Sequence, residues 1–227
     1  MTLKILSWNI WYDNNFKQVC DFLAVTNADI IGLQEIVPND PARDVGNFLK
    51  ELGYHEIIVP TKTLSDGRLM SNAIFSKYPI INTKTHLLST LESRTAVQAN
   101  INVNGKVLHV FSTHLLHTHQ TDDEIQLEQT DTLLKLLPTE NTIVMGDFNA
   151  EPKNIVIQKI NTVLSGNTEQ IHTVDPALFD CTVCEPSTYS TLRLDYIFTT
   201  PDLKTSSLTI ENSQGSDHLA ISTMLEL

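Results

Sequence analysis

The sequence predicts an α/β protein in which strands outnumber helices, folded as a mixed or largely antiparallel sandwich. Three observations point there. Short apolar or alternating runs recur along the chain, as buried and half-buried strands require. Asn104-Gly105 joins two such runs as a two-residue hairpin turn. Runs with helical spacing are few and scattered. A hairpin in mid-chain argues against a purely parallel, doubly wound sheet. No internal repeat, low-complexity tract or Pro/Gly/Ser-rich linker divides residues 1–227, so one domain is expected.

Leu3–Asn9 alternates and is bounded by polar residues, so it is a strand. Phe16–Val25 carries Phe16, Val19, Cys20 and Leu23 at helical spacing behind the potential caps Asn14 and Asn15. Asp29–Gln34 holds the apolar run Ile30-Ile31-Gly32-Leu33 of a buried strand. Pro41–Leu52 reads as a helix capped by Asn39 or Asp40 and stopped by Gly53. Strands follow at Glu56–Val59, Ala73–Ser76, His86–Leu88, Thr95–Val103 and Lys106–Thr113. Glu124–Leu137 is a helix ended by Pro138, Thr142–Gly146 a buried strand, and Asn154–Leu164 a further helix. Leu194–Thr199, Ser207–Glu211 and Leu219–Leu225 are the last strands.

Composition narrows the function. Apolar residues make up 41% and charged residues 19%, an ordinary globular balance. Lys plus Arg number 15 against 27 Asp plus Glu, a net charge of −12. A protein that neutralises many phosphates needs a basic face, so tight binding to long duplex DNA is not expected. No apolar run approaches the roughly 18 residues of a membrane span. The start, Met1-Thr2-Leu3-Lys4-Ile5-Leu6, lacks the apolar stretch of a signal peptide. A soluble, cytoplasmic monomer is the expectation. The cysteines Cys20, Cys181 and Cys184 are expected to be reduced and unliganded, as in a reducing compartment.

The chemistry is legible where polar residues meet strand ends. Asn9, Gln34-Glu35, His114, and Asp147 with Asn149 each follow an apolar strand, and Asp217-His218 precedes the last one. Singly, each Asp or Asn is also an ordinary turn former or helix cap. Asp195 interrupts the apolar run Leu194-Asp195-Tyr196-Ile197-Phe198, and a buried carboxylate is costly unless paired or metal-bound. Carboxylate and amide oxygens suit a hard cation such as Mg2+ or Mn2+. A His held by an Asp is an oriented imidazole. Together these are the parts of metal-assisted phosphoester hydrolysis.

The order of motifs is recognisable. Ser7-Trp8-Asn9, Leu33-Gln34-Glu35, Ser71-Asn72-Ala73-Ile74-Phe75-Ser76-Lys77, Ser112-Thr113-His114-Leu115, Gly146-Asp147-Phe148-Asn149, Leu194-Asp195-Tyr196-Ile197-Phe198 and Ser216-Asp217-His218 resemble the endonuclease/exonuclease/phosphatase family, whose fold is deoxyribonuclease I-like. The resemblance implies a four-layer α/β sandwich, two mixed sheets face to face with outer helices. It implies Glu35 as principal metal ligand with Asn9 beside it and Asp217 near the metal. It implies Asp147 on the attacking water, Asn149 and His114 on phosphoryl oxygens, and Asp195 paired with His218. Arg94 and Asn72 are expected on the substrate side. The expected cofactor is Mg2+, or Mn2+.

Two departures narrow the branch. Apurinic endonucleases carry an Asp where this chain has Trp11, and a Tyr-x-Pro-Asn segment where it has Thr113-His114-Leu115. The Thr-His-Leu form is similar to the deoxyribonuclease I, deadenylase, neutral sphingomyelinase, inositol-polyphosphate phosphatase and 5′-tyrosyl-DNA phosphodiesterase branches. The Arg of an Arg-x-x-Gln helix pattern is absent at Gln126-Leu127-Glu128-Gln129. The expected substrate is a small phosphodiester, a nucleotide or a single-stranded nucleic-acid end.

Three other readings compete. A phosphomonoesterase would use the same residues. A non-catalytic phosphate-binding protein is disfavoured because Asn9, Glu35, Asp147, Asn149, Asp195, Asp217 and His218 are all present. A zinc hydrolase would draw on His114, His117 and His119, but the spacing of His117-Thr118-His119-Gln120-Thr121-Asp122 departs from His-x-His-x-Asp-His. The acidic charge yields a first prediction. Duplex DNA should bind weakly in an electrophoretic mobility assay; nanomolar affinity at physiological salt would contradict it.

Overall fold

In a computed structural model, residues 1–227 except 92, 119, 120, 168, 182 and 183 are described. The chain runs β1 (Thr2–Asn9), α1 (Phe16–Thr26), β2 (Ile30–Ile36), α2 (Val45–Glu51), β3 (His55–Thr63), β4 (Leu69–Ser76), β5 (Ile80–Leu87), β6 (Thr95–Val103) and β7 (Lys106–His114). It continues through α3 (Glu124–Leu136), β8 (Thr142–Asp147), α4 (Ile155–Ile160), β9 (Ser165–Gly166), a 3-10 turn (Pro186–Thr191), β10 (Asp195–Thr199), β11 (Lys204–Thr205), β12 (Thr209–Ile210) and β13 (Ile221–Glu226).

The strands form two sheets. One has the order β11-β13-β1-β2-β4-β3, with β12 also on β13; the other is β5-β6-β7-β8-β10-β9. Each sheet is antiparallel except for one central parallel pair, β1–β2 in the first and β7–β8 in the second.

Side-chain alternation builds the layers. From β1, Leu3 and Ile5 join Val97, Val110, Ile143, Met145 and Ile197 of the other sheet in the core between the sheets. Leu6 and Trp8 point the opposite way and pack with Val19 and Leu23 of α1 and Val45 and Leu49 of α2. On the far sheet, Phe111, Val144, Tyr196 and Phe198 face α3 and α4 through Leu133, Val156, Ile157 and Ile160. The result is the expected four-layer sandwich of two mixed sheets with outer helices. Among the described residues no helix is long and apolar enough to cross a membrane.

Local signals explain most boundaries. Asn15 caps α1 by accepting from the Gln18 N–H, and Asn27 ends it in the left-handed region, φ 52°. Asn104 and Gly105, φ 52° and 95°, form the hairpin between β6 and β7.

Several expected boundaries are corrected. The helix expected over Pro41–Leu52 spans only Val45–Glu51, because Asp40 caps a preceding turn and Asp44 is the true N-cap, accepting from Asn47 N–H at 2.9 Å. The helix expected over Asn154–Leu164 stops at Ile160. The strand expected at His86–Leu88 begins at Ile80; this edge strand is largely exposed and carries no buried alternation to read. The Ser207–Glu211 strand shrinks to Thr209–Ile210. Cys181 and Cys184, expected to be reduced, are joined as a disulfide.

One glycine is fixed by a close approach. Gly146 precedes Asp147 with φ 150°, and a methyl group there would collide with the carbonyl oxygen of Thr113 on β7. Gly146→Ala should therefore cost about 3 kcal/mol or more from backbone strain and overpacking. A melting temperature lowered by roughly 5–10 °C is expected. An unchanged melt would show that β7 and β8 can separate.

Candidate active site

The inner layer is apolar at one end and polar at the other. Along β1 the inward positions read Leu3, Ile5, Ser7, Asn9; along β7, Leu108, Val110, Ser112, His114; along β8, Ile143, Met145, Asp147. β1, β7 and β8 thus deliver a polar group at their carboxyl ends. The antiparallel β10 brings Asp195 to the same edge, directly opposite Asp147. The carboxyl ends of parallel strands are where open α/β sheets bind ligands.

Glu35 reaches this edge differently. Gln34 already faces inward, donating to Ser112 Oγ at 3.0 Å, so simple alternation would turn Glu35 outward. Instead Glu35 has φ 59°, and the β2–β4 register shifts between Leu33 and Ile36. This bulge re-aims its carboxylate toward Asn9. Asn149 is also left-handed, φ 49°, and its N–H donates to Asp147 Oδ1 at 2.9 Å. Two such non-glycine residues at one cleft are strain held by their surroundings.

The side chains meet around Asp147. Its Oδ2 accepts from Asn9 Nδ2 at 3.1 Å and lies 3.5 Å from His114 Nε2 and 3.8 Å from His218 Nε2. His218 Nδ1 donates to Asp195 Oδ2 at 2.8 Å. Asn9 Nδ2 also reaches Glu35 Oε1 at 3.2 Å, and Tyr12 N–H points at Glu35 Oε2 at 3.4 Å. The loop carrying Asp217 and His218 is docked by Ser216 Oγ, which donates to the Asn9 carbonyl, and by Trp8 Nε1, which donates to the His218 carbonyl. Gln126 on α3 donates to the carbonyls of Leu116, Phe148 and Asn149, fastening the loops after β7 and β8.

Burial and charge set the protonation states. Burial lowers His114 well below its ordinary value, with Arg94 and His218 adding to the effect, so it is neutral. Burial opposes charge on His218, but Asp195, Asp147 and Asp217 outweigh it and raise it well above the usual range. Burial pushes Asp147 up to about 7, against the lowering charge of His218. Glu35 is raised first by burial and then by the charge of Asp217; Asp217 is itself raised by burial.

Of the residues singled out in the sequence, Asn9, Glu35, Arg94, His114, Asp147, Asn149, Asp217 and His218 line one cleft of about 220 Å3. Asp195 lies behind His218, fully buried. Asn72 is buried and donates to the Thr95 carbonyl at 3.1 Å across the two sheets. Of the His114/His117/His119 group, His114 and His117 both line the cleft. His114 faces Glu35 and Asp147, His117 lies by Cys181, and His119 falls outside the described residues. Tyr12, Lys62, Phe179 and Asp180 also line the cleft and carried no sequence signal. Phe179 packs edge-on against His218 at 5.8 Å.

Two facing sheets with a buried carboxylate–imidazole cluster at their shared edge define a class of hydrolase fold, and comparison with known proteins gives the family. The profile of the Endonuclease/Exonuclease/phosphatase family matches residues 6–218, and the chain belongs to that family. Members are hydrolases acting on phosphoesters. A curated relative, tyrosyl-DNA phosphodiesterase 2 of Xenopus laevis, is 26% identical over 163 residues, 66% of this chain. The chain spans only 42% of the length of that relative. The crystal structure of an endonuclease/exonuclease/phosphatase from Beutenbergia cavernae superposes with a TM-score of 0.83 at 19% identity, covering all of this chain and 72% of that one. A mannosyl-6-phosphatase of Bacteroides thetaiotaomicron gives 0.76 at 17% identity, covering 99% and 100%.

The donors fit a hard divalent cation. Glu35 and Asp217 are hard carboxylate ligands, and the repulsion Glu35 feels from Asp217 is what a cation would relieve; the Asn9 oxygen accepts from the Trp11 N–H at 3.0 Å while its Nδ2 faces Glu35, so the amide would have to turn to join them. Glu35→Gln should weaken Mg2+ binding at least about tenfold in a calorimetric titration. Wild-type affinity in that variant would remove Glu35 from the ligand set.

Proposed function

We propose that this protein is a cytoplasmic, monomeric, Mg2+-dependent phosphodiesterase built as one domain over residues 1–227. Its substrate is a small phosphodiester, a nucleotide or a single-stranded nucleic-acid end, attacked in line by water. The observation that carries this reading is the convergence on Asp147 of His114, Asn9 and an Asp195-held His218.

Glu35 and Asp217, with Asn9 beside them, would hold the cation, which would polarise a phosphoryl oxygen and stabilise the leaving alkoxide. Asp147, pushed up to about 7, is poised near neutrality to take a proton from the attacking water. His218 has its Nδ1 committed to Asp195, which leaves Nε2 to stabilise negative charge on the phosphoryl group. His114, kept neutral, donates a further hydrogen bond, and Asn149 orients a phosphoryl oxygen. Arg94 and Lys62 stand among the carboxylates Glu35, Asp147, Asp180 and Asp217 of the cleft and offer an anionic ester two cationic contacts. The cleft is smaller than the roughly 300–1,000 Å3 of drug-sized pockets, in keeping with a small substrate. A phosphodiesterase reading also agrees with the name of the Xenopus relative.

The test begins with a screen in Mg2+ and in Mn2+ against a phosphodiester reporter, a phosphomonoester reporter, and single- and double-stranded oligonucleotides. Preference for the monoester would replace the diesterase reading with a phosphatase of the same fold. On the substrate found, His218→Ala and Asp147→Asn should each lower kcat by about 10³-fold or more with the melt preserved. The double variant should lose much less than the product of the single losses, because the groups act as a unit. Near-native kcat in His218→Ala would sink the mechanism.

A further inference from the structure

Beside the cleft lies a cluster that the proposed reaction leaves unused. Cys181 Sγ is 3.8 Å from His117 Nε2, and the ligating atoms of His117, Cys181 and Cys184 all lie within 4.8 Å of one another. These residues come from segments 64 positions apart in the chain. Cys184 N–H donates to the Cys181 carbonyl at 3.2 Å, and the Tyr189 hydroxyl both donates to the Cys181 carbonyl and accepts from its N–H. Cys181 is buried with Val174, Phe179, Tyr189, Leu192 and Leu194 in a small core of its own. A redox pair alone does not require an imidazole at this distance.

Two thiolates and one imidazole are borderline-soft donors of the kind that select Zn2+ over Mg2+. Zinc–sulfur bonds of about 2.3 Å and zinc–nitrogen bonds of about 2.0–2.1 Å in a tetrahedron separate sulfur from nitrogen by about 3.5 Å, close to the spacing seen here. We propose that the reduced Cys181–Cys184 pair and His117 bind Zn2+ at the cleft wall, with a fourth position left for water or an incoming ligand. A dithiol reductant supplies two electrons and two protons, breaks the Cys181–Cys184 bond to two thiols, and leaves as its own disulfide. Zinc then displaces the two thiol protons to solvent. His117 and Asp180 both line the cleft, and Phe179 packs on His218, so the ion would brace the wall against which substrate lies. The site is separate from the Glu35–Asp217 carboxylates and does not depend on their role.

The test uses the whole chain, reduced with a dithiol, freed of it without air, and titrated with Co2+ and then Zn2+. One equivalent of Co2+ should give a thiolate-to-cobalt charge-transfer band that Zn2+ abolishes. The band should vanish in Cys184→Ser, weaken at least about tenfold in affinity in His117→Ala, and persist in Glu35→Gln. Circular dichroism checks that the variants fold. Absence of the band in the reduced wild type would overturn the proposal. So would a band with unchanged affinity in His117→Ala.

Discussion

The site depends on one electrostatic constraint: Asp147 and Asp195 face each other directly across β8 and β10, both buried. Like charges so placed repel, and burial deprives both of water. His218 resolves this by standing between them, 2.8 Å from one carboxylate and 3.8 Å from the other. Its own burial would strip its charge; the acidic neighbours restore it. The acids and the imidazole therefore hold one another in their working states, which is why the loop bearing His218 must be tied to β1 through Ser216 and Trp8.

The sandwich supplies the geometry for that exchange. Two sheets each with one parallel pair bring four carboxyl strand ends, those of β1, β2, β7 and β8, to one edge. Apolar side chains fill the inner layer away from that edge, so the polar groups are packed from behind. A dry layer beneath a polar rim strengthens every electrostatic interaction at the rim. The outer helices act at a distance, as Gln126 does by fastening two loops at once.

The protein is strongly acidic as a whole, and its cleft mixes four carboxylates with Arg94 and Lys62; Arg94 helps keep His114 neutral. Elsewhere a buried guanidinium does structural work. Arg193, fully buried, stacks on Tyr196 at 4.6 Å and donates to Asn167, anchoring the approach to Asp195 two residues on.

The sequence alone carried the strands, the hairpin and the order of the motifs. It also placed Asn9, His114 and Asp147 at strand ends and marked Asp195 as a carboxylate inside an apolar run, because alternation and turn chemistry are local properties of neighbouring residues. It could not settle which way Glu35 points, since the period of two turns that residue outward and only the bulge against β4 turns it back. Asn72 bridges from β4 to Thr95 of the facing sheet, a contact that no local pattern shows. Lys62, Tyr12, Phe179 and the pairing of His117 with Cys181 emerge only in three dimensions. They lie in unrelated stretches of chain, and their proximity is decided by how two sheets pack and where long loops land, which no local pattern encodes.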